Sequence, residues 1–189
     1  MGDTKRVSEG LNLMYVGNII AIAAALCTLL ALLMPFLAII TGIVILLGGV
    51  VCLVGLVKLR NEHEDYMSAL VVCILGIVFG LLSNNESVFG SMMSLARSIC
   101  NLLEVYFVIR GTNSFLRGRG CLTEVSMGDK AWKWELIYIV VSVAAAVLAL
   151  VLLPLGLILA VVNIVVSIAA LVFYLSYLKA SAAALGWAE

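Results

Sequence analysis

Six apolar runs, each near the length that crosses a bilayer, constrain this chain more than any other feature. They are Tyr15–Met34, Phe36–Val57, Tyr66–Leu82, Val88–Ile109, Leu136–Leu153 and Leu155–Leu178. A helix needs about 20 apolar residues to cross a hydrocarbon core roughly 30 Å thick. Hydrocarbon offers the backbone no partner, so helices that satisfy their own amides are favoured there. The composition agrees. The chain is 65% hydrophobic and 12% charged, against about 45–50% and about 25% in soluble domains. This excludes an ordinary soluble enzyme or a nucleic-acid-binding domain. Eleven Lys+Arg balance eleven Asp+Glu, so net charge points to no anionic partner. The expected fold is an all-α integral membrane protein, a six-transmembrane-helix bundle whose first partner is the lipid bilayer.

The first two runs together would be about 64 Å long as one helix, twice what a bilayer accepts. The chain must therefore reverse between them. Pro35 is the strong breaker there, because proline removes a donor and clashes with the preceding turn. Pro154 stands in the same place between the fifth and sixth runs, and these are the two prolines of the chain. Ser83–Ser87 joins the third and fourth runs with turn-forming residue types. Leu33-Met34-Pro35 matches Leu152-Leu153-Pro154, which reads as a weak repeat of three helical hairpins in one orientation. Two unrelated apolar hairpins would align about as well.

Ten of the eleven Lys/Arg flank the runs on one side. Lys5, Arg6, Lys58, Arg60, Arg110, Arg117, Arg119, Lys130, Lys133 and Lys179 all fall there, and only Arg97 does not. Short cytoplasmic loops are the ones enriched in Lys and Arg. The expected topology is a multi-pass protein of the plasma membrane with both termini cytoplasmic. Residues 1–14 form a cytoplasmic segment without a cleavable leader, 15–182 the membrane domain, and 183–189 a cytoplasmic tail. Residues 58–65 and 110–135 are expected as cytoplasmic loops.

In lipid, helices associate chiefly through close packing of small residues. Seams at helical spacing occur in most of the runs. Gly17, Ala21 and Ala24 mark the first; Thr41, Gly48, Cys52 and Gly55 the second; Gly76 and Gly80 the third. These seams suggest one compact six-helix bundle, which could also include a homo-oligomer face. The five cysteines include no C-x-x-C pair and imply neither a disulfide framework nor a metal site. The acidic run Arg60–Asp65 carries the single histidine, and it reads as a solvated loop more readily than as a cation site.

The fourth run is the unusual one. Ser94, Arg97, Ser98, Asn101 and Glu104 recur at three- and four-residue steps and share one helical face. A charge at mid-membrane costs about 2.5–3.5 kcal/mol on insertion scales, so such residues face the bundle interior, a partner or water. Asn163 and Ser167 on the sixth run are the natural groups to meet them. No G-x-S-x-G, H-E-x-x-H or P-loop occurs, and an enzyme is not expected. No cofactor or metal is expected either. Two functions fit. One is a transport-related channel, carrier or membrane subunit that uses this polar face. The other is a non-catalytic accessory, scaffold or immunity-type protein that works through protein contacts.

Overall fold

The computed structural model describes residues 3–31, 36–83, 88–151 and 153–186. Six α-helices follow one another: α1 (Thr4–Ala31), α2 (Phe36–Leu59), α3 (Glu64–Leu82), α4 (Val88–Gly118), α5 (Leu122–Val151) and α6 (Leu153–Gly186). Five of them are long and apolar enough to cross a membrane. The sixth, α5, spends its first half on polar residues. Its apolar part within the described residues, Leu136–Val151, falls short of the ~20 residues a span needs. Pro35 and Asn84–Ser87 lie outside the described residues. Pro154 lies in the first turn of α6, where a missing N–H costs nothing.

Sequential helices pack as antiparallel pairs, α1 with α2, α3 with α4, and α5 with α6. The pairs are joined mainly through α1 against α6, and more sparsely through α4–α5 and α2–α3. The α1–α2 pair is the tightest. Gly10 and Gly17 lie seven residues apart on α1, as do Gly48 and Gly55 on α2. A methyl group added at Gly17 would come within 2.7 Å of the Gly48 carbonyl oxygen. One added at Gly55 would come within 2.8 Å of the Gly10 carbonyl oxygen. Here the two backbones touch, as small-residue seams in lipid allow. The same register sets Ala24 opposite Thr41, and both are buried.

Residues 110–135 differ from the open loop expected of them. They continue α4 to Gly118 and begin α5 at Leu122. Between the helices the Cys121 amide donates to the Leu116 carbonyl at 3.0 Å, and the Gly120 amide to that of Arg117 at 3.1 Å. This is a Schellman cap. Its αL position is Gly120, with φ of 74°, a conformation that glycine adopts without a Cβ penalty. The charges that made the segment look like loop are spaced so that the helices carry them outward, while Leu116, Val125 and Ala131 turn in. The terminal segments are helical as well, from Thr4 and up to Gly186.

Most of the buried core lies at this basic end of the bundle. Val7, Leu11, Leu56, Leu59, Tyr66, Val108, Leu116, Tyr177, Leu178 and Leu185 form one cluster there. Polar bonds lace the same end together. The Asp3 amide donates to Glu62 at 2.7 Å, Ser8 to the Ala182 carbonyl at 2.6 Å, and Lys58 pairs with Glu9. Arg119 donates to the Leu185 carbonyl at 3.1 Å and to Thr4 Oγ1 at 2.5 Å. A guanidinium thereby satisfies a carbonyl that the end of α6 leaves without a helical donor.

Candidate functional site

The polar stripe of α4 lies on that helix's inward face. Steps of seven and four residues lead from Ser94 to Asn101 and Val108, then to Thr112 and Leu116. Residues so spaced stand in one row along a helix. Val108, Thr112 and Leu116 are fully buried. Ser94, Arg97, Ser98 and Asn101, on the same face nearer the opposite end, are exposed. This face of α4 is therefore buried at the basic end and exposed toward the other.

Glu104 lies between these two stretches and is half-buried. Its carboxyl lies close to the Cys73 thiol of α3. Cys52, Cys100 and Tyr174 stand within electrostatic reach of it. Groups on α2, α3, α4 and α6 thus lie in its electrostatic neighbourhood. Sequence reading found Glu104 but not these neighbours. Periodicity reports which face a residue is on, not which helix that face meets.

Arg97 lies against α3. A methyl group built on Gly80 would come within 3.2 Å of Arg97 Cδ and Nη1. Gly76 similarly faces Cys100 Cβ at 3.3 Å and Asn101 Oδ1 at 3.5 Å. Gly80 therefore seats a guanidinium stem rather than a helix backbone. Gly80→Leu is expected to expel Arg97 and lower the midpoint of thermal unfolding in detergent, whereas Val78→Leu, at an exposed site, leaves it unchanged. Equal midpoints would remove Arg97 from this slot.

Asn163 and Ser167 turn to α5 instead of α4. Asn163 Oδ1 accepts from Ser142 at 2.9 Å. Ser167 bonds to the Ile164 carbonyl of its own helix at 2.8 Å and lines a cleft of about 270 Å³ with Glu135 and Tyr138. Ser98 likewise bonds to the Ser94 carbonyl at 3.1 Å, the back-bond by which a helical serine satisfies itself. The structure joins Arg97, Asn101 and Glu104 to α3 and leaves the two α6 residues with α5.

Toward the basic end from Glu104, two fully buried tyrosines occupy the interior. Tyr66 Oη and Thr112 Oγ1 are 2.9 Å apart. The Tyr177 hydroxyl reaches Asn113 Oδ1 at 2.9 Å and the Ile109 carbonyl at 3.2 Å. Thr112 and Asn113 were missed in the sequence because they fall in the segment expected as loop, whereas Tyr66 and Tyr177 lie at the basic ends of the third and sixth runs. The acidic run Arg60–Asp65 becomes the turn between α2 and α3, with His63 as N-cap accepting from the Asp65 amide at 3.2 Å. Among the described residues, no three His, Cys, Asp or Glu side chains converge as metal ligands. No family model, curated protein or solved structure matches this chain.

Proposed function

We propose that the chain is a multi-pass plasma-membrane protein with six spans and both termini cytoplasmic, and that it handles a small polar or ionic solute without catalysing a reaction. The solute enters between the helices at the end opposite the basic one. It meets Arg97, then Asn101, then Glu104, and is stopped by the Tyr66–Thr112 and Tyr177–Asn113 pairs. The observation that carries this reading is the exposure of Ser94, Arg97 and Asn101 on the very stripe whose continuation, Val108–Thr112–Leu116, is buried. In a bilayer, polar groups on an inward face are satisfied by water or by a ligand. The basic end, which carries ten of the eleven cations, is the cytoplasmic one by the positive-inside rule. The vestibule then opens outward.

Single cysteines in a version without the native ones test this. Ser94→Cys and Asn101→Cys are expected to react with a membrane-impermeant thiol reagent applied outside to reconstituted protein. Thr112→Cys and Leu116→Cys are expected to stay unlabelled until the protein is denatured. Failure at both upper positions would overturn the pathway. It would assign the stripe to a protein partner and make the chain an accessory or scaffold protein.

A further inference from the structure

Past its apolar part, α4 carries a second row of polar residues: Arg110, Asn113, Ser114 and Arg117. They line a cleft of about 510 Å³ at the basic end. The facing walls are the start of α3, with His63, Glu64 and Asp65, and the early part of α5, with Asp129 and Trp132. None of Ser94, Arg97, Asn101 and Glu104, the residues of the proposed pathway, lines this cleft. Four donors face it from α4. Arg110 is held through Nε by Asp65 Oδ2 at 3.5 Å, so its terminal nitrogens are the ones left to donate. Asn113 Oδ1 accepts from Tyr177, which leaves its amide nitrogen as the donor. Ser114 and Arg117 are exposed, and among the described residues Arg117 forms no ion pair.

Two guanidiniums, an amide and a hydroxyl on one helix face match the oxygens of a phosphate, for which the planar guanidinium fork is well shaped. The opposite rim is different in sign. Glu64 and Asp129 are exposed carboxylates that repel a bare dianion and attract an ammonium group. At the inner end, Tyr106 and Trp132 sit with ring centroids 5.1 Å apart. Aromatic rings of this kind prefer the boundary between hydrocarbon and headgroups. From Arg110 to Arg117 is about 10 Å along the helix, and the headgroup layer is roughly 5–8 Å thick on each side. The cleft thus spans the layer in which lipid phosphates lie.

The geometry points to a binding site for a phosphoethanolamine group, with its phosphate on Arg110 and Arg117, its ammonium on Asp129 and Glu64, and its ester end over Tyr106 and Trp132. The inference rests on the chain sitting in a bilayer, but not on the vestibule: labelling at Ser94 and binding at Arg117 succeed or fail independently.

The test is native mass spectrometry of the detergent-solubilised chain with added phosphatidylethanolamine, phosphatidylcholine or phosphatidylglycerol. A separate arm adds free phosphoethanolamine. Retention of phosphatidylethanolamine over the other two lipids is expected. Arg117→Gln should weaken it by about tenfold, as loss of one charged hydrogen-bonding group does. Asp129→Asn should weaken phosphatidylethanolamine but not phosphatidylglycerol. Both positions are exposed, and unchanged circular dichroism would confirm intact folding. Binding of free phosphoethanolamine without lipid retention would identify a soluble ligand of the same chemistry. Equal retention of all three lipids, unaffected by Arg117→Gln, would overturn the site.

Discussion

Gly17→Leu is expected to leave the first hairpin unable to close. The Gly17 position is bounded by the Gly48 carbonyl oxygen, the Cys52 amide nitrogen and the Cys52 sulfur, all within 2.8 Å of where a Cβ would stand. Two of these are backbone atoms, so no rotamer change makes room. The helices must separate, and they would lose both their close backbone contact and the bond from Cys52 Sγ to the Met14 carbonyl. Overpacking a tight site costs typically about 1–3 kcal/mol and more when backbone must move; about 3 kcal/mol or more is expected here. Gly48→Leu should behave alike, since its Cβ would stand 2.8 Å from the Gly17 carbonyl oxygen. Gly42 and Gly49, on the same helix, have nothing within 4 Å. Gly49→Leu is therefore the matched control and should unfold with the parent protein. Reversible unfolding in mixed detergent reads all three. A Gly49→Leu loss as large as that of Gly17→Leu would mean the seam does not hold the pair together.

Tyr177→Ala is expected to be the second severe lesion and to change what the interior admits. The ring is fully buried in the basic-end core, and its hydroxyl serves both Asn113 and the Ile109 carbonyl. Removing a buried aromatic ring costs about 3–5 kcal/mol. The Asn113 carbonyl oxygen, buried and now without its donor, adds about 1–3 kcal/mol. Tyr177→Phe keeps the ring and should lose only the polar part. The two variants separate packing from hydrogen bonding, and detergent unfolding measures both. With the ring gone, the seal below Glu104 is breached. In the cysteine-free background, Thr112→Cys should become reactive from the outer side in Tyr177→Ala but not in Tyr177→Phe. If Thr112→Cys stays silent in both, the seal lies elsewhere.

The helix count, the hairpin pairing and the seam glycines Gly17, Gly48 and Gly55 were legible in the sequence, because apolar length and small-residue spacing are local properties. Gly10 escaped notice because it precedes the apolar run. Its partnership with Gly55 depends on the offset between two helices, which no single helix encodes. The segment 110–135 was misread for a related reason. Its charges mimic a loop, and the burial of Leu116, Val125 and Ala131 comes from packing of α4 and α5 against each other and against α3 and α6, which no local pattern shows. The face of α4 that holds Arg97 and Glu104 was readable from spacing alone. Its neighbours were not: Asn163 found Ser142 across the nearer helix, and Cys73 came to Glu104 from a helix where it reads as a packing residue.

The uneven burial of the α3–α4 hairpin has a mechanical consequence. Its deeply packed residues, Tyr66, Ala69, Val108, Thr112 and Leu116, all lie toward the basic end, and its contacts with α2 and α5 are the sparser ones. A beam clamped at one end bends most at the other. Thermal displacement of this hairpin should therefore grow with distance from the clamp, increasing along α4 from Thr112 to Ser94. The residues of lowest stiffness are then those at the mouth of the proposed pathway, whose width would vary while the Tyr66 and Tyr177 layer stays fixed.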